Sequence, residues 1–141
     1  MRTDIVAAGI VIERGQVLVS RRKQGSHLAG LWEFPGGKVE AGEDPRGALR
    51  RELEEELGIT TRIGEIVDVA FHRYEDADKS VLLLFFEAFR EEGSPEPTAI
   101  DVAEVAWRGP DELTPAAFPP ADVAVLAKVL ARLEAGGLCS E

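Results

Sequence analysis

Hydrophobic residues alternate with polar ones along much of this chain, in short runs that are typical of β-strands. Two such runs, 4–12 and 16–22, flank the turn at 13–15 and predict a β-hairpin. Further strands are predicted at 32–34, 63–74, 80–89 and 102–107. The segment 35–37 holds a proline and two glycines, so we expect it to break the strand before it.

Two other segments follow the 3.6-residue period of an amphipathic helix. In the first, Asp44 suits the N-cap, Pro45 suits the first turn, and Gly58 suits the C-terminal end. Its apolar stripe consists of Leu49, Leu53 and Leu57. A second helix is predicted over 121–135. Strands with two well-separated helices predict one α/β domain over residues 1–141, an α/β/α sandwich on a mixed β-sheet.

The composition is that of a soluble globular protein, with 45% hydrophobic and 30% charged residues among 141. The longest apolar run, 81–86, is too short to span a membrane, and the first residues lack the layout of a signal peptide. The single cysteine, Cys139, cannot form an intramolecular disulfide, and no Cys/His cluster suggests zinc. We therefore expect a cytoplasmic protein without a membrane partner.

The formal net charge of −10 argues against binding to a nucleic-acid polymer, which needs a broad basic surface. A small anionic ligand is still compatible with this charge. Its binding would need local positive charge from a divalent cation or from a few basic side chains.

The first helix carries an unusual run of carboxylates. Glu52, Glu55 and Glu56 are spaced i, i+3, i+4, which places them on one face beside the leucine stripe and near the protein body. Like-charge pairs at this spacing destabilise a helix by about 0.2–0.5 kcal/mol each. A cation that prefers oxygen ligands, such as Mg²⁺, removes that cost, so this face predicts a magnesium site. The glutamates alone favour a solvated acidic face, and only the longer pattern around them changes that interpretation.

A longer pattern surrounds these glutamates. It consists of Gly37, Glu43, Arg51, Glu52, Leu53, Glu55, Glu56, Gly58 and Ile59. At these spacings it resembles the Nudix box, with every defining position filled. The preceding segment 32–38, Trp-Glu-Phe-Pro-Gly-Gly-Lys, resembles the approach to the box in the MutT branch of that family. The layout from Ile5 to the final helix is similar to the same branch.

The resemblance implies a Mg²⁺-dependent hydrolase, with Mn²⁺ as a substitute, that splits a nucleoside triphosphate into monophosphate and pyrophosphate. Carried over by position, the metal ligands are the Gly36 carbonyl, Glu52, Glu55 and Glu56. The resemblance gives Glu52 or Glu104 as the general base and Arg51 as the residue that orients a box carboxylate. An exposed strand glutamate and an ordinary helix salt bridge are the alternatives for Glu104 and Arg51.

Substrate contacts are implied for four further residues. Arg22 ends the second strand and Lys38 follows the glycine pair, so both are expected near the phosphates or the base. His27 lies in a loop that closes over the nucleotide in MutT-like proteins. Asp122 ends a segment, 118–122, that resembles their base-recognition segment, where an asparagine reads oxidised guanine. An ionised aspartate only accepts hydrogen bonds, which also suits the exocyclic amine of a cytidine nucleotide.

Several alternatives stay open at this point. Among nucleoside triphosphates, the resemblance implies 8-oxo-dGTP or another oxidised nucleotide as the substrate, with CTP or dCTP as the alternative. ADP-ribose hydrolases carry a proline downstream of the box, which residues 59–80 lack, whereas Tyr74 keeps the dinucleoside polyphosphate hydrolases in consideration. A nucleotide-binding module without catalysis would share the fold. The sequence is compatible with a monomer or a homodimer.

Overall fold

The computed structural model describes residues 2–136, so the residues around Gly137 and Cys139 lie outside the described part. The elements are β1 Arg2–Ile10, β2 Ile12–Glu13, β3 Gln16–Arg21, β4 Trp32–Glu33, β5 Gly36–Lys38, α1 Pro45–Leu57, β6 Thr61–Tyr74, β7 Lys79–Arg90, β8 Glu104–Arg108 and α2 Pro120–Gly136. Neither helix within this range is long and apolar enough to cross a membrane.

The strands form two sheets. In the first, the order is β5-β1-β7-β6, with β1 and β7 parallel and the other pairs antiparallel. In the second, β3 pairs with β2, β4 and β8, all antiparallel. The expected hairpin is confirmed, since Glu13 pairs with Gln16 across the two-residue turn. The expected α/β class with a mixed sheet is also confirmed.

Each helix packs against its own hydrophobic core. The stripe Leu49, Leu53 and Leu57 of α1 is fully buried against residues such as Ala7 and Phe86 of the mixed sheet. Val125, Leu126 and Val129 of α2 belong to the other core, with Phe85 and Val17. Burying a leucine stabilises a fold by about 1.5–3 kcal/mol, so the leucine stripe fixes which face of α1 remains available for chemistry.

The structure confirms both of the predicted ends of α1. The Asp44 side chain accepts a hydrogen bond from the Gly47 N–H at 3.1 Å, and Gly58 has φ +72°, a left-handed conformation that suits glycine. Beyond this end, the N–H groups of Ile100 and Asp101 donate to the Glu56 carbonyl at 3.0 and 3.2 Å. These bonds satisfy a carbonyl of the last turn and hold the segment before β8 against α1.

The expected break of the strand at 32–34 is confirmed, because β4 ends at Glu33 and the next strand, β5, begins at Gly36 in the other sheet. Gly36 and Gly37 are themselves part of β5, which pairs with β1 through Ala8 and Ala7. A Cβ on Gly36 would lie 2.0 Å from the Ala7 carbonyl oxygen, so glycine permits this close pairing. The glycines therefore also mark a close approach of two strands.

Candidate active site

A cavity of about 360 Å³ opens above the mixed sheet, beside the start of α2. Its floor contains Asp4, Val6 and Ala8 of β1 and Val81 and Leu83 of β7. These residues face one way because side chains on a strand alternate between the two faces of a sheet. The walls add the loop after β3, the β4–β5 segment, α1 and the first turn of α2. The cavity thus has an apolar floor with polar groups around it, as ligand sites commonly do.

One wall is formed by the predicted box. Gly36, Gly37, Glu52 and Glu56 all line it. A Cβ on Gly37 would lie 2.3 Å from the carboxyl carbon of Glu52, so the absence of a side chain at Gly37 makes room for this carboxylate. The strand β5 and the helix α1 therefore bring backbone and carboxylate oxygens to the same edge of the cavity.

The carboxylates of this wall are crowded. Burial, followed by the charges of Glu52, Glu33 and Asp101, raises the pKa of Glu56 to about 8. Burial also raises the pKa of Glu52, against the opposing effect of Arg51. Partly buried acids with raised pKa values are a frequent property of functional sites. Their oxygens are the ligands that hard divalent cations prefer, so these residues fit such an ion.

Arg51 donates hydrogen bonds to four residues around the box. It donates to both carboxylate oxygens of Glu43 at 2.7 and 2.8 Å, to Glu52 at 3.1 Å and to Glu55 at 3.2 Å. The Lys38 carbonyl accepts a further bond at 3.3 Å. These bonds lower the pKa of Glu43 to about 2, mainly through Arg51. Arg51 is thus placed to orient Glu52, while Glu43 holds the loop.

Glu55 departs from the expected arrangement. The sequence placed it near the protein body, but its side chain is 59% exposed, pairs with Arg51 and does not line the cavity. The expectation that all three box glutamates lie near the protein body is therefore wrong for Glu55. Among residues 2–136, no group of three or more His, Cys, Asp or Glu side chains is already arranged to hold a metal ion.

Glu104 lies away from the cavity lining. It forms an ion pair with Arg21, which is its partner in the pairing of β3 with β8. Asp101, which the sequence reasoning missed, lies beside the box, where its N–H donates to the Glu56 carbonyl and its charge helps to raise the pKa of Glu56. Its carboxylate accepts a hydrogen bond from Lys23 at 2.5 Å. The sequence motif gave no signal for Asp101, because its place beside the box depends on backbone hydrogen bonds that hold the segment before β8 against α1.

The predicted basic residues do meet at the cavity. Arg22 donates to the His27 carbonyl and to the Glu33 carboxylate, both at 2.7 Å, so its guanidinium is fixed in the wall. The His27 ring lies 3.0 Å from the Asp76 carboxylate and packs edge-on against Tyr74. Lys38 lines the floor from β5. The cavity therefore contains positive charge besides the box carboxylates.

Asp122 lies in the first turn of α2 and is 4% exposed. Burial and the nearby charge of Glu33 raise its pKa to about 8, against a hydrogen bond from the Phe34 backbone and the charge of Arg22. The carboxyl group is therefore mostly protonated at neutral pH. In that state it both donates and accepts hydrogen bonds, as an asparagine side chain does.

Several cavity residues with chemistry of their own were not singled out as site residues by the sequence reasoning. Phe34 and Tyr74 supply aromatic surface, whereas Asp4 and Lys79 are charged groups at the floor. The alternation Asp4-Val6-Ala8 gave a signal for Asp4, because these residues must share one face of β1. Lys79 gave no such signal, because its place depends on the parallel pairing of β7 with β1.

Comparisons with known proteins agree with this geometry. A family model described as NUDIX domain matches residues 3–133. The chain is 37% identical to the 8-oxo-dGTP diphosphatase of Haemophilus influenzae over 126 residues, which cover 89% of this chain and 90% of that protein. It is also 37% identical to the CTP pyrophosphohydrolase of Escherichia coli over 131 residues, covering 93% and 94%.

A solved structure shares the architecture as well. The Escherichia coli ORF135 protein superposes with a TM-score of 0.76 and 33% sequence identity, covering 96% of this chain and 94% of that one. The matched family model spans nearly the whole chain and includes both the box residues and the start of α2. The chain therefore belongs to the Nudix family of hydrolases.

Proposed function

We propose that this chain is a MutT-like, Mg²⁺-dependent pyrophosphohydrolase that converts a nucleoside triphosphate to the monophosphate and pyrophosphate. The observation that carries the proposal is that Glu52, Glu56 and Gly36 line the same cavity as Arg22 and Asp122. One cavity of nucleotide-compatible size thus holds groups suited to a metal–phosphate complex and groups suited to a base.

Nudix hydrolases generally need a divalent cation. In this chain the Gly36 carbonyl and the carboxylates of Glu52 and Glu56 would hold it, and their oxygens favour Mg²⁺, with Mn²⁺ as a substitute. Glu55 would join them only by exchanging its ion pair with Arg51 for the ion. When bound, the ion neutralises phosphate charge and makes water a better nucleophile. The raised pKa of Glu56 supports this assignment, because neighbouring carboxylates leave an excess of negative charge there.

For the proton of the attacking water, we assign Glu52 as the acceptor. Its carboxylate lies on the cavity wall beside Gly37, where an attacking water beside the phosphates would be within reach. The hydrogen bond from Arg51 fixes its orientation. Glu104 is the alternative base, and its ion pair with Arg21 outside the cavity lining makes it the weaker candidate.

Arg22 is assigned to the phosphates. Its guanidinium is held by His27 and Glu33, so little side-chain entropy is lost when it binds an anion. Phosphoryl transfer depends mainly on positioning and on stabilising charge, which such a fixed guanidinium supplies. Lys38 pairs with Asp4 at the far end of the floor and is assigned to the nucleoside end of the substrate. His27, beside the aromatic wall, would contact the nucleoside.

Asp122 is assigned to the base. In its protonated form it offers the same donor and acceptor as the asparagine that reads oxidised guanine in MutT-like proteins, which favours 8-oxo-dGTP. In its ionised form it only accepts, which suits the exocyclic amine of CTP or dCTP. At neutral pH we favour 8-oxo-dGTP as the substrate over CTP or dCTP, because the raised pKa of Asp122 favours its protonated carboxyl group.

The test is pyrophosphate release from a panel of 8-oxo-dGTP, dGTP, CTP, dCTP, ADP-ribose and diadenosine polyphosphates with Mg²⁺. We expect cleavage of triphosphates and a loss of at least ~100-fold for Glu56→Gln, with loss of the Mg²⁺-dependent rise in Tm. Glu54→Gln, an exposed position on the same helix, is the matched control and should keep both. Preference for a sugar-linked diphosphate, or an unaffected Glu56→Gln, would overturn the proposal.

A further inference from the structure

One end of the mixed sheet is uncovered on the face that is turned away from the cavity. Strand pairing places Ile5 of β1, Leu82 of β7 and Phe71 of β6 side by side on this face. The helix α1 covers the same face only at its other end, where a Cβ on Gly9 would lie 3.6 Å from a methyl group of Leu53. Beyond α1 the face is therefore open to solvent within the described part of the chain.

Large apolar side chains occupy this open area, which we call the apolar face. Phe71 is 60% exposed, Val69 51%, Ile66 46% and Ile5 42%. Three of these four lie on β6, which pairs with β7 alone among residues 2–136 and is therefore an edge strand. Contiguous apolar surface and a free strand edge are each typical of a surface that binds another chain.

Arginines lie at both ends of the apolar face. Arg73 follows it on β6, and at the other end the Arg46 guanidinium of α1 lies 4.8 Å from the ring of Phe86, which pairs with Ile66. Arg50 is on the same side of α1, one helical turn after Arg46. None of the three arginines forms an ion pair with a carboxylate of residues 2–136. In a chain of net charge −10, such unpaired positive charge is complementary to an acidic partner.

The spacing of these charges favours an extended peptide as the partner. From Ile66 to Arg73 the strand advances roughly 20 Å, the length of about eight extended residues. The one carboxylate in this stretch, Asp68, pairs with Lys128 of α2 and leaves the arginines free. A second copy in antiparallel, two-fold contact would bring the Arg46 end of one chain against the Arg73 end of the other, so like charges would meet.

We propose that the apolar face binds an acidic peptide segment of a partner protein, which adds to β6 as an extended strand. Alternate apolar side chains of the peptide pack on Val69 and Phe71, and acidic groups at its two ends pair with the arginines. The partner leaves the cavity free, because the cavity floor is the opposite face of the same sheet. This interaction goes beyond the proposed function and does not depend on the reaction assigned there.

Fluorescence anisotropy of the full chain with a labelled nonapeptide, Glu-Thr-Val-Thr-Val-Thr-Val-Thr-Glu, tests the assignment. In an extended strand its valines and terminal glutamates share one side. The matched probe has lysine in place of both glutamates. The wild type should bind the acidic probe at least ~10-fold more tightly than the basic probe, and the difference should shrink as NaCl is raised from about 0.05 to about 0.5 M.

Variants of the apolar face and of its arginines separate the two contributions. Phe71→Ser should weaken the acidic probe at least ~10-fold, as the loss of a central aromatic contact does at interfaces. Arg46→Glu combined with Arg73→Glu should reverse the preference between the two probes. Arg14→Glu, at an exposed arginine in the turn between β2 and β3, is the matched control and should keep the wild-type preference. Every variant should still melt cooperatively within a few degrees of the wild type, because the changes are at the surface.

Pairing of the peptide backbone with β6 has its own readout. Amides of alternate residues point to the same edge of a strand, so methylating the valine amides or the threonine amides blocks one edge of the probe. One of the two methylated probes should lose binding and the other should keep most of it. Equal behaviour of the two methylated probes contradicts addition to the edge of β6.

Equal affinity for the acidic and basic probes, or no binding of the acidic probe, would overturn the inference. Concentration-dependent self-association of the wild type in sedimentation that Phe71→Ser abolishes would make a second copy the occupant and overturn it as well. Binding to phosphatidylserine–phosphatidylcholine vesicles that Phe71→Ser abolishes would identify a lipid surface as the occupant, with the same consequence.

Discussion

The ionisation of Asp122 gives the sharpest quantitative prediction. Its carboxyl group is 4% exposed, and its pKa is raised to about 8 from the ordinary value of 3.8. The folded state therefore binds a proton more tightly than the unfolded state does. Below the unfolded pKa both states are protonated and the group imposes no penalty. As the pH rises from about 4 to about 8, stability is lost progressively, because unfolding then releases a proton.

The magnitude follows from these two pKa values. Between them, each pH unit changes the free energy of unfolding by about 1.4 kcal/mol. Raising the pH from 5 to 7 should therefore cost the wild type about 2.5 kcal/mol through this one group. Asp122→Asn keeps the shape and the hydrogen-bonding atoms but does not titrate, so this part of the pH dependence should disappear in the variant.

The measurement is urea unfolding of the wild type and Asp122→Asn at pH 5, 6 and 7. The stability of the variant relative to the wild type should increase over this range by about 2.5 kcal/mol. Asp111→Asn, an exposed aspartate before α2, controls for replacing a carboxyl group by an amide. A difference between Asp122→Asn and the wild type that is the same at pH 5 and pH 7 would refute the buried, protonated carboxyl.

The same protonation should appear in substrate choice. If protonated Asp122 reads oxidised guanine, kcat/KM of the wild type for 8-oxo-dGTP relative to dCTP should fall as the pH rises through about 8. Asp122→Asn should keep its preference for 8-oxo-dGTP across that range, because an amide does not ionise there. The ratio of the two substrates cancels pH effects on the common chemistry. A wild-type ratio that is flat from pH 6.5 to 9 contradicts this role.

Two further predictions concern the box and the alternative base. Gly37→Ala should lower activity at least ~100-fold, because the added Cβ would lie 2.3 Å from the Glu52 carboxyl carbon. Gly47→Ala is the control, because a Cβ there meets only Asp44, at 3.8 Å. The control should keep its activity and gain about 0.5–1 kcal/mol of stability in urea unfolding. In pyrophosphate-release assays, Glu104→Gln should lower kcat less than ~10-fold, whereas Glu52→Gln should lower it at least ~1,000-fold. The reverse order of the two losses would make Glu104 the base.

The sequence was informative where structure is decided locally. The cap at Asp44, the stop at Gly58 and the leucine stripe of α1 depend on neighbours within one or two helical turns, and the structure has each of them as expected. The box is of the same kind, because its residues come from one continuous segment, 37–59, that contains a short strand, a loop and one helix. A motif that folds as a local unit could therefore be assigned before any tertiary contact was known.

The sequence was less informative where distant segments meet. The glycines at 36 and 37 have the local character of a turn, and only their pairing with β1 makes them a strand. The helical spacing put Glu55 beside its neighbours, but Arg51 holds its side chain toward solvent. The raised pKa of Asp122 likewise depends on burial and on the charge of Glu33, which lies in β4. In each case a tertiary contact outweighs a local preference.

The distribution of charge within the cavity has a consequence for how a nucleotide enters it. The box end carries Glu52 and Glu56, and the far end carries Lys38 and Lys79 around one carboxylate, Asp4. A free triphosphate is repelled by the first end and attracted by the second, which would place the phosphates away from the box. In the proposed function, a divalent cation held by Glu52 and Glu56 would reverse the sign of the charge at the box and draw the phosphates there. Such an ion would orient the substrate as well as activate it. The net charge of −10 makes this requirement stricter, because the surrounding surface also repels an uncomplexed anion.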